Sequence, residues 1–402
     1  MRFKKLLKNS LYMFSNQMAT FVFPFMIFKA ISNTVNETLL GDYFLFLSLG
    51  VFVTIVSDVG MGIGSVKLYS KSKFKLEYLF SWVLIKLIAV TLFFQVVFFI
   101  FPIQKLNLSL YFLMYFSIAV QSLSPLWFFQ INENMKLYAI AGILGKTINM
   151  ILVFTLIEEY SDINYLVLSY LFGVTITLVI LSSHIKTNLP EKKYRKKIKL
   201  KHLENIIKSC LTTYYSRVSV AFYTTINLLI IGHFGGASAA ATYGMAEKVY
   251  QAGQGVIAPV SQVLMPFLHN KPDTKLFFKT VGLFLIIFLS GVFFVLSFSS
   301  EFLLFLFQTK NTETLELLKI FMIVSIVNFL GVFMGYPAFA IKKDIETPNI
   351  TVHFGLLAYF VSTVFFNVFY GFKLEHFAYS LLTAELSVLF VRVILFSKVI
   401  RR

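Results

Sequence analysis

Residues 79–101 read LFSWVLIKLIAVTLFFQVVFFIF, and Lys86 is the only charged side chain in the run. A helix of this length can cross a bilayer, since about 20 apolar residues at 1.5 Å of rise each match the hydrocarbon thickness. Similar runs recur along the chain, and 57% of its 402 residues are apolar whereas 14% are charged. A soluble core cannot bury that much apolar surface, so the sequence predicts an integral membrane protein without a soluble domain.

The apolar runs predict an all-α polytopic membrane protein with about 12 transmembrane helices. Residues 186–207, the longest hydrophilic segment, are too few to bury a core of their own. We therefore expect a basic linker loop there, between an N-terminal lobe at 1–185 and a C-terminal lobe at 208–402. The candidate spans are residues 10–32, 39–65, 79–101, 108–130, 138–157, 163–185, 209–232, 240–268, 276–298, 316–340, 350–370 and 376–397.

Lysine and arginine are distributed unevenly between the two sides that this span count defines. The side that holds both termini carries most of them, including KKYRKKIKLK at 192–201, whereas the opposite loops hold only Lys105, Lys310 and Lys373. Cytoplasmic loops are enriched in Lys and Arg, so both termini are predicted to be cytoplasmic. Topology thus accounts for the net charge of +17, and nucleic-acid binding, which needs a basic folded surface, is not expected.

A weak internal repeat relates the second and eighth spans. Residues 39–44 (LLGDYF) and 240–244 (AATYG) place Tyr43 and Tyr243 at equivalent positions. Helices six spans apart run in the same direction, so the pattern predicts parallel repeats about an axis along the membrane normal, with a substrate path between the halves.

Basic residues inside the spans outnumber acidic ones, which predicts an electropositive cavity. A charge that faces lipid is costly, so each embedded charge is a functional candidate. Basic side chains would replace the water around the phosphates of an anionic substrate. Lys86, Lys146 and Arg217 share a depth of roughly 11 Å, where snorkelling to the headgroups is the alternative. The candidates for the cationic cavity are Lys29, Lys86, Lys146, Arg217 and Lys248.

The embedded acids and Arg392 are predicted to have roles other than lining the cationic cavity. Asp42, Glu247 and Glu385 are candidates for coupling transport to an ion gradient, because the sequence carries no nucleotide-binding or catalytic motif. Adjacent helical residues point about 100° apart, so Glu247 and Lys248 are each expected to need another partner. Arg392, near the inner end of the last span, is expected to be a snorkelling anchor.

The glycine-rich segment around Asp58 and the single cysteine are two further candidates for a chemical role. Asp58 and Gly60 lie in a glycine-rich end of the second span, where we favour an end cap and close helix packing over substrate contact. Cys210 is the only cysteine, which excludes an intramolecular disulfide, and no Cys/His cluster has metal-ligand spacing. We expect neither a metal nor another cofactor, and the protein is not predicted to be an enzyme.

Two motifs, and a weaker third at Asp58-Val59-Gly60, carry a resemblance to a known family. Residues 124–136 (SPLWFFQINENMK) are similar to a Pro-x-Trp-Phe-Phe-Gln-Gly-x-Glu-x-Met-Lys signature, with Ile131 where glycine is usual, and residues 242–248 (TYGMAEK) are similar to a Tyr-x-x-Ala-Glu-Lys helix. Both resemble the Wzx-type flippases of O-antigen and other lipid-linked oligosaccharides, in the polysaccharide-transporter branch of the MATE-like MOP superfamily. The motif positions in the first segment are Pro125, Trp127, Gln130 and Glu133.

The resemblance implies a MATE-like (MOP) fold of two six-helix lobes around a cationic central cavity. It implies that undecaprenyl-pyrophosphate-linked oligosaccharide repeat units, for O-antigen and lipopolysaccharide biosynthesis, move by alternating access from the cytoplasmic to the periplasmic leaflet of a bacterial inner membrane. A polysaccharide polymerase and a chain-length regulator are the implied protein partners, besides membrane lipid.

Three alternatives stay open. A peptidoglycan-precursor flippase of this superfamily carries two further helices, and a drug or cation antiporter needs an acid-rich site. A membrane polysaccharide polymerase usually has a large outer catalytic loop, whereas residues 299–315 form the longest outer loop here. The sugars carried are not specified, since 48 Phe and 20 Tyr leave many candidates for stacking.

Overall fold

The computed structural model describes residues 2–34, 36–60, 62, 76–101, 107–132, 134–188, 200–270, 272–344 and 346–401, and every regular element in them is a helix. The helices are α1 (Arg2–Thr34), α2 (Glu37–Val56), α3 (Leu76–Ile100), α4 (Leu108–Ser122), α5 (Leu126–Ile131), α6 (Met135–Leu156), α7 (Ile163–Asn188), α8 (Leu200–Asn270), α9 (Thr274–Ser297), α10 (Ser299–Phe307), α11 (Thr312–Phe333), α12 (Tyr336–Ala340), α13 (Thr347–Tyr370) and α14 (Leu374–Arg401).

Twelve membrane crossings are present in this part of the chain. Eleven helical segments are long and apolar enough to cross a membrane, and one of them, Thr213–Asn270, has 58 residues. A single crossing needs about 20, and the helix bends at Gly236, whose φ of +79° suits glycine alone. We call residues 200–235 α8a and residues 237–270 α8b. The predicted fold class of about twelve helices is confirmed.

Short polar side chains fix where several crossings begin. Asn107 accepts a hydrogen bond from the Leu110 amide at 2.7 Å at the start of α4, and Asp273 accepts from the Leu276 amide at 2.9 Å at the start of α9. Each cap satisfies a backbone N–H that the first helical turn leaves unpaired. The caps therefore fix where α4 and α9 begin, at the ends of the bundle.

The helices form two lobes that meet along α2 and α8. Helices α1 to α7 pack among themselves, and so do α8, α9 and α11 to α14, whereas the largest contact between the lobes joins α2 to α8. With an even number of crossings, both termini lie at the same end of the bundle. We call it the terminal end, and we call the end where α1 leads into α2 the distal end. The basic linker is described only in part, because residues 189–199 lie outside the described ranges.

The lobes touch most closely at the distal end, where small residues let the helices approach. A Cβ built on Gly41 would lie 1.8 Å from the carbonyl oxygen of Ala237, and one on Gly232 would lie 2.3 Å from the Leu45 side chain. Close packing of this kind holds membrane helices together where lipid offers no hydrophobic driving force. We call this contact of Gly41 and Leu45 with Gly232 and Ala237 the distal seam.

Candidate functional site

A cavity of about 570 Å³ lies inside the bundle, mainly within the N-terminal lobe. Helices α1, α2, α4, α6 and α7 form its walls, and α8b closes it with Lys248 and Gln251. Its size falls in the range of pockets that bind small molecules. Among the described residues, its lining includes Lys146 and Lys248 and no aspartate or glutamate.

The two cavity lysines come from opposite lobes and bond to neutral oxygens. The Lys146 Nζ, on α6, donates to the Asn16 Oδ1 at 2.9 Å and approaches the Asn16 carbonyl at 3.4 Å. The Lys248 Nζ, on α8b, donates to the Gln251 Oε1 at 3.0 Å. Both side chains are largely withdrawn from solvent, so their charges act in a medium of low dielectric.

Glu247 is 1% exposed, and neither of its carboxylate oxygens accepts a hydrogen bond from the described part of the chain. The nearest cation is Lys248, whose Nζ lies 3.8 Å from the Glu247 Oε2. The long Lys248 side chain bends back toward Glu247, although adjacent helical residues point about 100° apart, and its hydrogen-bond partner is Gln251. The separation exceeds a hydrogen bond, which leaves the carboxylate incompletely paired.

Lys86 and Arg217 bond to Asp58 instead of lining the cavity. The Lys86 Nζ donates to the Asp58 Oδ1 at 2.6 Å, and the Arg217 Nη1 approaches the Asp58 Oδ2 at 3.4 Å. Asp58 also accepts from the Gly62 amide at 3.3 Å. Since Arg217 belongs to α8a, this ion cluster joins the two lobes near the terminal end, beside a hydrogen bond of 2.7 Å from the Tyr214 hydroxyl to the Val56 carbonyl.

Lys29, Asp42 and Glu385 also lie away from the cavity lining. The Lys29 Nζ is 3.6 Å from the centre of the Phe305 ring, a cation–π contact between α1 and α10. Asp42 lines a separate polar pocket of about 320 Å³ at the distal end. Glu385 is buried inside the C-terminal lobe at 4% exposure.

Arg392 is not a snorkelling anchor, and that prediction is wrong. The side chain is 9% exposed, and its guanidinium donates to the Gly331 carbonyl at 2.7 Å, the Thr351 hydroxyl at 3.0 Å and the Pro348 carbonyl at 3.4 Å. A planar guanidinium can satisfy several carbonyls at once, which stabilises a charge that points inward. Arg392 therefore joins α11, α13 and α14 within one lobe.

The residues of the first sequence motif build the terminal end of α4 and α5. Pro125 is the buried N-cap residue of α5, and the buried Trp127 packs edge-on against Trp82 with ring centres 5.8 Å apart. Gln130 is exposed, and Glu133 lies outside the described residues. Gly60 adopts a positive φ of 73°, as a turn at the end of α2 requires.

Embedded charge does not identify the uncharged residues of the cavity, and of these only Tyr43 is marked in the sequence, as a position of the internal repeat. Asn16, Gln121 and Asn149 all line the cavity, and so do Tyr43 and Tyr170. An amide inside an apolar span is itself a signal, since a polar group that faces lipid is costly. Tyrosine is frequent throughout this chain, so a tyrosine inside a span does not by itself indicate a cavity residue.

The fold is shared with solved structures of MOP-superfamily transporters. It superposes on a lipid II flippase, MurJ, in an inward closed conformation (TM-score 0.69, 18% identity, 96% of this chain and 87% of that one). It also superposes on an inward-facing multidrug resistance MATE transporter (TM-score 0.67, 13% identity, 96% and 93% of the two chains).

Sequence comparison identifies the family to which the chain belongs. Residues 6–270 match the family described as "Polysaccharide biosynthesis protein", and the chain belongs to that family. It is 23% identical to a putative O-antigen transporter of Shigella dysenteriae over 278 residues, which cover 65% of this chain and 67% of that one. The resemblance to Wzx-type flippases is thereby confirmed.

Proposed function

We propose that this protein is a flippase for undecaprenyl-pyrophosphate-linked oligosaccharide repeat units, which it moves between the leaflets of a bacterial inner membrane. The observation that carries the proposal is the cavity, into which each lobe contributes one lysine and whose described lining contains no carboxylate. Membership of the polysaccharide biosynthesis family and similarity to a putative O-antigen transporter support this class of substrate.

The pyrophosphate group would bridge the two cavity lysines. Lys146 and Lys248 hydrogen-bond to the amide oxygens of Asn16 and Gln251, which carry no negative charge, and the carboxylate of Glu247 stays 3.8 Å from Lys248. Hydrogen bonds between ionised groups are roughly twice as strong as neutral ones. A pyrophosphate thus gains more from this site than a neutral headgroup does, and its binding links the lobes.

We infer the orientation from the charge distribution, which favours a cytoplasmic location for the terminal end. At the distal end the lobes are closed by apolar and backbone contacts of the distal seam. Near the terminal end, the contacts of Asp58 with Arg217 and of Tyr214 with Val56 are polar, and water can replace them. We infer a state closed to the periplasm, from which rocking of the lobes would open the distal seam and close the cytoplasmic side.

A drug or cation antiporter fits the cavity less well. A cationic substrate needs carboxylates or other acceptors of positive charge inside the site, and the described lining supplies two ammonium groups instead. The same lining therefore favours an anionic substrate over a cationic one.

We further propose Glu247 as the group that couples transport to an ion gradient. Of the three candidate acids it alone neighbours a cavity lysine, whereas Asp42 lines the distal pocket and Glu385 is buried in the C-terminal lobe. Neutralising Glu247 would leave Lys248 free for the pyrophosphate. A polymerase and a chain-length regulator would receive the product at the periplasmic side.

Lipid binding by the purified protein in nanodiscs tests the proposal. We expect a polyprenyl pyrophosphate to bind tighter than the matching polyprenol, and Lys146→Ala and Lys248→Ala each to weaken that binding by about tenfold or more, as the loss of a charged hydrogen bond predicts. Lys319→Ala is the matched control, because Lys319 pairs with Glu316 on α11, outside the cavity. Equal affinity for the pyrophosphate and the polyprenol would exclude the proposed site.

A further inference from the structure

Helix α10 connects two crossings of the C-terminal lobe, yet it packs on the other lobe. It follows α9 at the distal end and leads into α11, and its main contacts are with α1 of the N-terminal lobe. The helix ends at Gln308, whose φ of +53° is left-handed, as is common where a helix stops and the chain turns. The chain therefore reaches across to α1 and turns back there. We call residues 299–309 the strap.

Phe307, the last residue of α10, is buried against α1. It is 3% exposed, and its ring centre lies 6.5 Å from the Phe28 ring and 6.2 Å from the Phe25 ring. The Phe25 and Phe28 rings are themselves 5.8 Å apart, edge to face. Aromatic pairs at such separations attract each other beyond the burial of their surface. Three rings from two lobes thus form one cluster.

Two polar contacts flank this aromatic cluster. The Lys29 Nζ lies 3.6 Å from the centre of the Phe305 ring, and the Thr309 hydroxyl donates to the Glu37 carboxylate at 3.3 Å. Phe305 is 61% exposed, so core packing does not account for the position of its ring beside an ammonium group, whereas a cation–π contact does. Both contacts join the lobes at the distal end, and Phe305 can be replaced without cutting into the core.

The aromatic cluster also belongs to the wall of the cavity. Phe25 and Phe28 line the cavity, whereas none of the four residues that define the distal seam is part of the described lining. A ligand shifts a conformational equilibrium only by binding one conformation better than the other. Cargo in the cavity meets the two rings that Phe307 holds, so it acts on the strap and not directly on the seam.

We propose that Phe307 is a positioning residue that fixes the two cavity rings of α1, and that cargo opens the distal end by displacing those rings from it. This inference rests on the proposed function and deepens it, because it names the contact through which the cargo acts. Without cargo, Phe307 packs on Phe25 and Phe28, and the strap keeps the lobes together at the distal end. Cargo that needs the space of these rings binds better after Phe307 has left, so it favours the conformation with a released strap.

Thiol crosslinking measures whether the strap is docked. In a protein with Cys210→Ser, a Glu37→Cys and Thr309→Cys pair should react with a short bifunctional reagent as long as the strap lies on the N-terminal lobe. In nanodiscs, a short polyprenyl-pyrophosphate disaccharide should lower the crosslinking yield. The matching polyprenol should leave the yield unchanged.

Variants of the strap separate positioning from packing. Phe305→Leu should lower the ratio of docked to released protein by about two- to fivefold, as the loss of one exposed cation–π contact predicts, whereas Phe305→Tyr keeps the ring beside Lys29 and should keep the parent yield. Phe307→Leu should lower the ratio further, because it removes two ring contacts. Since the cargo favours the released strap, both leucine variants should bind the disaccharide lipid tighter than the parent, by up to the same factor. Loss of packing alone would not tighten binding.

Phe293→Leu is the matched control, because Phe293 is another exposed ring of the C-terminal lobe and lies on α9. It should change neither the yield nor the affinity. Because Phe305 is exposed, its variants decide the question even where Phe307→Leu does not fold. Parent yield and parent affinity in Phe305→Leu, or a parent yield that the bound lipid does not lower, overturn the strap and leave the proposed function standing. A protein that binds a polyprenyl pyrophosphate no tighter than the polyprenol overturns the proposed function and the cargo response with it.

Discussion

Alanine at Gly41 should open the distal seam and shift the protein away from the conformation in which the distal end is closed. The new Cβ would lie 1.8 Å from the Ala237 carbonyl oxygen and 2.7 Å from the Ala237 carbonyl carbon. Both are backbone atoms, which cannot rotate away as the end of a side chain can. The helices would have to separate by roughly 1 Å, and overpacking of a close contact costs about 1–3 kcal/mol.

This cost falls only on the conformation in which α2 and α8b are in contact. A differential free energy of about 1–3 kcal/mol changes the ratio of the two conformations by roughly 5- to 150-fold. The variant should therefore populate the conformation that is open at the distal end far more than the parent does. Its thermal stability need not fall, because the open state relieves the clash.

Thiol crosslinking across the distal end measures this shift. The Thr309 hydroxyl donates to the Glu37 carboxylate at 3.3 Å between the lobes, so a Glu37→Cys and Thr309→Cys pair should react with a short bifunctional reagent. Cys210→Ser first removes the only native cysteine. The yield should drop when Gly41→Ala is added and should hold with Gly291→Ala, where an added Cβ meets nothing within 4 Å. Equal yields with and without Gly41→Ala would refute the distal seam as the closed contact.

Three further perturbations address charges outside the cavity. Asp58→Asn leaves Lys86 as a buried charge without its anion, so it should destabilise the protein by about 3–5 kcal/mol, and adding Lys86→Met should restore most of the melting temperature; an unchanged melting temperature in the single variant would contradict the pair. Arg392→Lys should lower the melting temperature nearly as much as Arg392→Met, because one ammonium cannot bond all three acceptors, whereas full rescue by lysine would indicate a snorkelling residue. Asp344 lies outside the spans: partial burial raises its pKa, but hydrogen bonds from the Thr347 hydroxyl and nearby amides outweigh burial and hold the pKa below its usual value. Its stabilising contribution is thus present above about pH 4 and lost as pH falls through the lower folded pKa, so Asp344→Asn should lower the melting temperature at pH 7 and not near pH 2.

The number of helices could be read from the sequence because a membrane sets their length. Apolar runs of the required size recur, and Gly236 marks the bend that divides α8, which is long enough to cross twice. The partners of embedded charges could not be read in this way. Asp58 is 28 residues from Lys86 and 159 from Arg217, so only the folded chain shows that one carboxylate neutralises both.

Depth along a helix also says nothing about the direction in which a side chain points. Lys86 and Lys146 have the same predicted depth, yet the first points at Asp58 and the second at the cavity. From its position near a helix end alone, Arg392 resembles a snorkelling residue. The fold shows that it instead donates hydrogen bonds to carbonyls of neighbouring helices. Asn149 is uncharged, so a search for embedded charges does not find it, although an amide that faces lipid is also unfavourable.

Translocation in proteoliposomes tests the central claim most directly. A fluorescent polyprenyl-pyrophosphate oligosaccharide placed in one leaflet should move to the other when the intact protein is present. Lys146→Ala and Lys248→Ala should each slow this movement by at least about tenfold at equal levels of inserted protein, whereas Lys319→Ala should not. Transport at the parent rate by both cavity variants, or no transport by the intact protein, would contradict a flippase that holds its substrate between these two lysines.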